Sequence, residues 1–396
     1  MRRYAQVILK KGKEEPIQRR HPWIFSGAID KITGDFREGD FVEVYSLAQE
    51  YLATGYLLSG SIAVKLVSFE RREIDIAFWK DKLLQCYDLR KDLGFVGSES
   101  INAYRLVHNE GDGLPGLIID MYGSLAVIQC HSVGMYQLRD IFCEVLQDIY
   151  HDSLTAIYDK SSETLKKMTG FRVMNEFLRG NAGEHVILEN GHSFLVNPVQ
   201  GQKTGFFLDQ RENRLLLNRY AKKRRVLNLF GYTGGFSVYA AAAGADLVVT
   251  IDSSAPAIEL AGRNISLNHI QPGIHKGIVE DARRYLETIE AGSFDLIILD
   301  PPAYAKTLDS RKKALSAYRS LNALALQKIG KNGILLTFSC SQVVDRRMFL
   351  SAVTAASIDS GRQVQILHHL SQPPDHPGNI FHQEGEYLKG LVLRVE

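Results

Sequence analysis

The chain has 396 residues, too long for one ordinary domain and suited to two or three. Hydrophobic residues make up 45% and charged residues 23%, which excludes an extended disordered protein. With 47 Lys+Arg against 45 Asp+Glu the net charge is +2, so overall charge alone does not bind nucleic acid and any such contact must come from local patches.

The first eighty residues read as strands. Phe41–Tyr45 alternates, 52–58 follows, and 62–69 alternates again, with turns such as Glu38-Gly39-Asp40 between them. Short strands at this spacing predict a small β-barrel. A helical stretch follows at 76–93. Residues 117–120 and 125–129 are apolar runs joined by Tyr122-Gly123-Ser124, and 135–150 has helical spacing. Residues 185–196 carry Asn190-Gly191 between two strand-like runs, a strong hairpin signal.

From about residue 222 strands and helices alternate. Apolar runs at 226–230, 247–251, 274–279, 294–299 and 334–338 are separated by helical segments near 234–243, 255–268, 281–290, 312–329 and 345–358. This is the rhythm of a doubly wound α/β sheet with buried parallel strands. Residues 363–368 and 387–395 add two last strands. The division read from these patterns is 1–75, 76–185 and 186–396: a barrel, a central α+β part and a Rossmann-like sheet.

Within the third part, Val226–Ala240 runs from a buried strand through Phe230-Gly231-Tyr232-Thr233-Gly234-Gly235 into a helix. Glycines there let the backbone bend tightly and approach a ligand. Asp252 ends the second strand, where a carboxylate accepts hydrogen bonds from ribose hydroxyls. An NAD enzyme would use the same aspartate, but the turn reads GxxGG and not GxGxxG, so the pyrophosphate spacing is absent. The layout suits S-adenosylmethionine, which has a ribose and an adenine and no phosphate. Glu280-Asp281 closes the third strand at a place suited to the adenine amino group, although such a pair also commonly starts a helix.

Two motifs carry the chemistry. Asp300-Pro301-Pro302 ends the fourth strand, with the prolines stiffening the backbone that aims Asp300. Thr337-Phe338-Ser339-Cys340-Ser341 ends the next. Cys86, Cys130 and Cys143 read as small buried residues. Cys340 lies past its strand among small polar neighbours, facing the cofactor crevice, as the nucleophile for carbon methylation of a pyrimidine would. C5 of cytosine becomes nucleophilic once a thiolate adds at C6, and Asp300 is placed to stabilise the activated ring.

Together, NLFGYTGGFS, LDPPAYAK, TFSCS, the stretch Gly205–Arg214, Arg19–Gly27 and Glu384–Lys389 resemble the bacterial ribosomal RNA large subunit methyltransferase I family, over essentially the whole chain. The resemblance implies an S-adenosylmethionine-dependent enzyme that makes 5-methylcytidine in 23S rRNA. It also implies an N-terminal PUA domain, a central connecting domain and a Rossmann-like catalytic domain. Carried over, the catalytic cysteine falls on Cys340 and the motif-four aspartate on Asp300. Phe230, Gly231, Asp252, Asp281 and Asp300 fall on cofactor positions. Thr204, Asp209 and Arg211 lie in a segment that packs beside the cofactor. Many RNA cytosine-5 enzymes carry a second cysteine after Asp-Pro-Pro; here that position is Ala303, so product release needs another base.

The first twenty residues carry seven Lys/Arg and two Glu, and 203–225 carries eight Lys/Arg and two acids. Runs of this kind are commonly solvated faces. Beside a PUA-like barrel, Arg19, Arg20, His21 and Trp23 read as RNA-binding, the aromatic rings by stacking. His368, His369, His376 and His382 lack ligand spacing, so no metal is expected. No apolar run spans a membrane and the four cysteines form no CxxC, which fits a reducing, cytoplasmic setting. A homodimer stays open. The rival readings are a same-fold enzyme methylating N7 of guanine, a noncatalytic RNA-binding protein, and a small-molecule methyltransferase, which leaves the barrel unexplained.

Overall fold

The computed structural model describes residues 4–165 and 173–396. Arg2 and Arg3 of the first basic run, and 166–172 of the central part, lie outside the described residues. The chain forms two compact units. One takes in residues 1–187, 196–208 and 374–385; the other takes in 188–195, 209–373 and 386–396.

The first unit begins with β1 (Ala5–Leu9), β2 (Trp23–Phe25), β3 (Ile29–Thr33), β4 (Phe41–Tyr45), β5 (Tyr51–Leu57) and β6 (Ile62–Ser68), in the order β2-β6-β5-β4-β1-β3. The alternation in β4 sends Val42 and Val44 into a core with Val7, Leu9, Ile24, Val64 and Leu66. Each such side chain stabilises the fold by roughly 1.5–3 kcal/mol. Gly55 in β5 has a steric reason: a Cβ there would lie 2.3 Å from the Lys65 carbonyl oxygen. The short strands β1 to β3 carry weaker alternation than β4 to β6, and the sequence patterns do not resolve them.

A second sheet holds β7 (Ala103–His108), β8 (Leu117–Tyr122), β9 (Leu125–Cys130), β10 (Ala156–Asp159) and β11 (Glu176–Arg179), in the order β11-β10-β9-β8-β7. The helices Ile76–Asp92 and Arg139–Tyr150 share a core with it through Trp79, Leu83, Phe142 and Val145. Asp75 caps the first of these, accepting from the Phe78 N–H at 2.8 Å. The single helix expected over 135–150 is instead two, Val133–Tyr136 and Arg139–Tyr150. Ser132 caps the first turn, Leu138 leaves helical geometry, and Gly134 rests on the Tyr56 ring, where a Cβ would sit 2.7 Å away. The segment 374–385 is pinned into this unit by charge: fully buried Arg90 donates to Asp112 at 2.6 and 2.7 Å and to the Asp375 carbonyl at 2.8 Å.

The hairpin of β12 (His185–Glu189) and β13 (His192–Val196) forms a two-stranded sheet whose turn has positive φ at both Asn190 and Gly191, as a type I′ turn requires. Its tip, 188–195, belongs to the second unit, held by Asn264 and Asn268, which accept from the Leu195 and Ser193 N–H groups at 2.8 and 2.9 Å.

The second unit is a seven-stranded sheet of β14 (Arg225–Leu229), β15 (Leu247–Asp252), β16 (His275–Val279), β17 (Phe294–Leu299), β18 (Ile329–Ser339), β19 (Val364–Leu370) and β20 (Lys389–Val395). The order is β16-β15-β14-β17-β18-β20-β19. The first five run parallel, and β20 inserts antiparallel between β18 and β19. Leu227, Leu229, Ile251, Ile297, Leu299 and Leu335 are buried, which is why these strands read as continuous apolar runs. The chain order reverses between β14 and β17, so their carboxyl ends flank a crevice of the kind where open α/β sheets take ligands. Among the described residues no helix is long and apolar enough to cross a membrane.

Candidate active site

One wall of the crevice is the turn after β14. Phe230 and Tyr232 adopt positive φ of 58° and 44°, and Gly234, at 78°, precedes the helix Gly235–Ala242. Phe230, expected to continue the strand, instead begins the turn and packs its half-buried ring on the core. Gly231 has no room for a side chain: a Cβ would lie 2.4 Å from Thr250 Cγ2. Asp252, at the end of β15, braces the turn. Its Oδ2 accepts from the Tyr232 N–H and its Oδ1 from the Ser254 N–H, both at 2.9 Å. Each oxygen keeps a second lone-pair direction for a hydroxyl. At the end of β16, Asp281 Oδ1 accepts from the Arg284 N–H at 2.9 Å and so caps the helix Ala282–Thr288. The helix-start role is therefore real, and the remaining carboxylate oxygen is the one left to meet a ligand.

Beneath the turn runs a polar chain that the sequence reading did not find. Asn228 Nδ2 donates to Ser237 Oγ at 2.9 Å, Ser237 meets Thr250 Oγ1 at 2.6 Å, and Thr250 meets His275 Nε2 at 2.7 Å. Burial pushes His275 down to about 4, so the imidazole is neutral at neutral pH. Its members come from three strands and a helix, so no local motif announces it.

The opposite wall carries Asp300 and Cys340, at the carboxyl ends of neighbouring strands β17 and β18. Cys340 is half-buried, and its Sγ–H points at the Pro301 carbonyl 3.9 Å away. Ser341 joins the two loops, accepting from the Ala305 N–H at 3.3 Å and lying 3.1 Å from the Tyr318 hydroxyl. Gln210 Nε2 donates to Asp300 Oδ2 at 3.0 Å, and Asn213 Nδ2 donates to Gln210 Oε1 at 2.7 Å. Gln210 and Asn213 were not singled out from sequence, although their three-residue spacing across the start of a helix puts both on one face. Lys389, the last residue of the C-terminal motif, is buried and donates to the Ser341 and Tyr387 carbonyls at 2.7 Å each.

The stretch 204–211 is divided between the units. Thr204 belongs to the first, where its hydroxyl donates to Asp120 at 2.6 Å and lies 3.0 Å from the Tyr122 hydroxyl. Asp209 and Arg211 belong to the second. Asp209 Oδ2 accepts from the Tyr387 hydroxyl at 2.8 Å, and fully buried Arg211 reaches Glu212 at 3.4 Å.

In the first unit, Arg19 pairs with Glu15 and Arg20 lies over the Phe69 ring at 5.1 Å. Trp23 is less accessible than a stacking role suggests. Its indole N–H donates to Glu110 at 2.9 Å, His382 packs on its ring at 4.3 Å, and Lys65 lies over it at 5.4 Å. Burial alone would raise Glu110, but Lys65 and Trp23 hold it below the usual carboxylate range. His21, Arg19, Glu15, Pro16 and Phe381 line a cavity of about 380 Å³, with Phe25 and Phe381 about half exposed nearby. Among the described residues no three His, Cys, Asp or Glu side chains gather to hold a metal ion.

The donor set suits S-adenosylmethionine. Carboxylates at the ends of β15 and β16 match a ribose diol and an adenine amine, and the glycine turn lacks the pyrophosphate spacing. Residues 7–69 match the model of a PUA-like domain, and residues 165–391 match that of an S-adenosylmethionine-dependent methyltransferase. Two solved structures superpose over 98% of this chain and 99% of their own. One, from Streptococcus mutans, is described as an S-adenosylmethionine-dependent methyltransferase (TM-score 0.84, 25% identity); the other is a methyltransferase crystallised with SAH (TM-score 0.85, 24% identity). The ribosomal RNA large subunit methyltransferase I of Pseudoalteromonas atlantica is 39% identical, and that of Escherichia coli O139:H28 is 36% identical, each over 99% of both chains. With S-adenosylmethionine as its cofactor, the chain belongs to the ribosomal RNA large subunit methyltransferase I family.

Proposed function

We propose that this protein methylates C5 of a cytosine in 23S rRNA through a covalent bond between Cys340 and C6. The observation that carries the reading is the placement of the Cys340 thiol against the Pro301 carbonyl, one strand from Asp300 and beside the crevice built by Gly231 and Asp252. The rRNA substrate follows from what the relatives are named for.

Bound along Phe230, Gly231, Asp252 and Asp281, the cofactor supplies an electrophilic methyl group. The chain's residues do the rest. Cys340, as thiolate, adds to C6 and pushes an electron pair onto C5, making that carbon a nucleophile. Asp300, oriented by Gln210, acts as an acid: its protonated carboxyl donates toward N3, where charge develops in the ring. C5 then takes the methyl group, and a base other than a cysteine at position 303, which here is Ala303, removes the C5 proton, so that the double bond re-forms and the thiolate is expelled. A target base within folded RNA must be flipped out or already unpaired to reach the thiol.

We read residues 1–75 as the RNA-binding part, 76–185 as the connecting part and 186–396 as the catalytic part. Arg19 and Arg20 serve phosphates, and stacking falls to His21 with the exposed Phe25 and Phe381, because the Trp23 ring is occupied.

Nucleoside mass spectrometry on protein-free 23S rRNA with labelled S-adenosylmethionine tests the proposal. The wild type is expected to yield labelled 5-methylcytidine and Cys340→Ala none. Labelled 7-methylguanosine, or equal product from the variant, removes Cys340 from catalysis and moves the reading to ring-nitrogen methylation.

A further inference from the structure

We infer that Lys389 is a positioning residue for Cys340, whose buried ammonium holds the cysteine loop and favours thiolate over thiol. The inference rests on the reading of Cys340 as the nucleophile. β20 pairs with β18 so that Lys389 stands opposite Ser339, the residue before the cysteine. Its Nζ then reaches the carbonyl of Ser341, the residue after it, and that of Tyr387, both at 2.7 Å. The lysine thus meets the residues on either side of Cys340 and is only 3% exposed. Both acceptors are carbonyls, so among the described residues the buried cation is met by dipoles and not by a carboxylate at ion-pair distance.

A cation kept this far from water is costly unless it serves a negative charge. Burial pulls Lys389 down to about 8. A thiolate at Cys340 opposes that more strongly than Asp345 or Glu386 does, while Arg346 pushes the other way. The coupling is reciprocal, so the ammonium draws the Cys340 proton off toward water and leaves the electron pair on sulfur. Three groups beside the cysteine do not replace this effect. The Tyr318 phenol, raised by burial, is neutral, Asp300 is engaged by Gln210, and the Pro301 carbonyl accepts only from the protonated thiol. A stabilised thiolate serves twice, as a larger attacking fraction at neutral pH and as a better leaving group when the C6–S bond breaks.

The test reads the thiol and not methylation. Full-length wild type, Lys389→Met and Lys389→Arg are alkylated with iodoacetamide from about pH 6 to about pH 10, and the rate at Cys340 is followed by peptide mass spectrometry. The wild-type midpoint is expected below the free-thiol value of about 8.5. Lys389→Met is expected to raise it by about one unit, slowing alkylation about tenfold near neutral pH, while Lys389→Arg keeps it low. A wild-type midpoint at or above that free-thiol value of about 8.5 overturns the inference, even if the variants fail to fold. So does an unchanged midpoint in a folded Lys389→Met. If the cytosine reading alone is wrong, these profiles still hold; if the lysine inference alone is wrong, Cys340-dependent 5-methylcytidine still forms.

Discussion

Replacing Arg214 with methionine isolates a buried ion pair beside the glycine turn. Arg214 and Glu189 form a two-pronged ion pair at 2.7 and 2.6 Å, with side chains 3% and 0% exposed. The Tyr239 hydroxyl donates to the same carboxylate at 3.1 Å. Methionine fills much of the volume but leaves the Glu189 charge buried, without its guanidinium and still met by the Tyr239 phenol. Breaking such a pair costs about 3–5 kcal/mol, a large part of a total stability of about 5–15 kcal/mol. For a unit of this size the melting temperature falls by about 2–4 °C per kcal/mol. The assay must report on the second unit, because both tryptophans, Trp23 and Trp79, belong to the first. Urea unfolding followed by hydrogen exchange in peptides from β14 and β15 meets that need. The double variant Glu189→Leu/Arg214→Met, which removes both charges, is expected to recover most of the loss. A single variant within about 1 kcal/mol of wild type, or a double variant no better than the single, refutes the reasoning.

Gln210→Leu removes the donor that orients Asp300 and is expected to lower the single-turnover methylation rate about tenfold, or about 1.4 kcal/mol, with S-adenosylmethionine affinity by calorimetry within about twofold of wild type. An unchanged rate removes Gln210 from the positioning of Asp300. His275 gives a pH dependence. Its folded value of about 4 lies below the ordinary 6.5, so the unfolded chain binds the proton first and stability falls as pH drops between those values, by at most about 3 kcal/mol. His275→Asn is expected to flatten that part of the stability–pH curve, and a wild-type slope retained by the variant speaks against the buried neutral imidazole.

Much of the second unit is legible in one dimension, because strands buried on both faces must be apolar throughout. The runs at 247–251 and 294–299 match β15 and β17 almost residue for residue. The glycine turn was legible for a related reason: positive φ and the absence of space at Gly231 restrict which residue fits. Asp252, Asp300 and Cys340 were readable as site candidates because each directly follows or ends a strand, and open α/β sheets gather those ends along one edge.

The sequence by itself thus determined the fold class, the alternation of elements and the family. What only tertiary structure decided were the pairings between distant segments. That Gln210 meets Asp300 across 90 positions, that Arg214 meets Glu189, and that Thr204 is tied to Asp120 in the other unit from Asp209 depend on chain crossings that no local pattern encodes. Lys389 makes the point most sharply. Its motif was visible, but its place beside Cys340 comes from β20 entering antiparallel between β18 and β19. Hydrophobic periodicity sets which face of a strand is buried; neighbour order is set by the packing of the whole sheet.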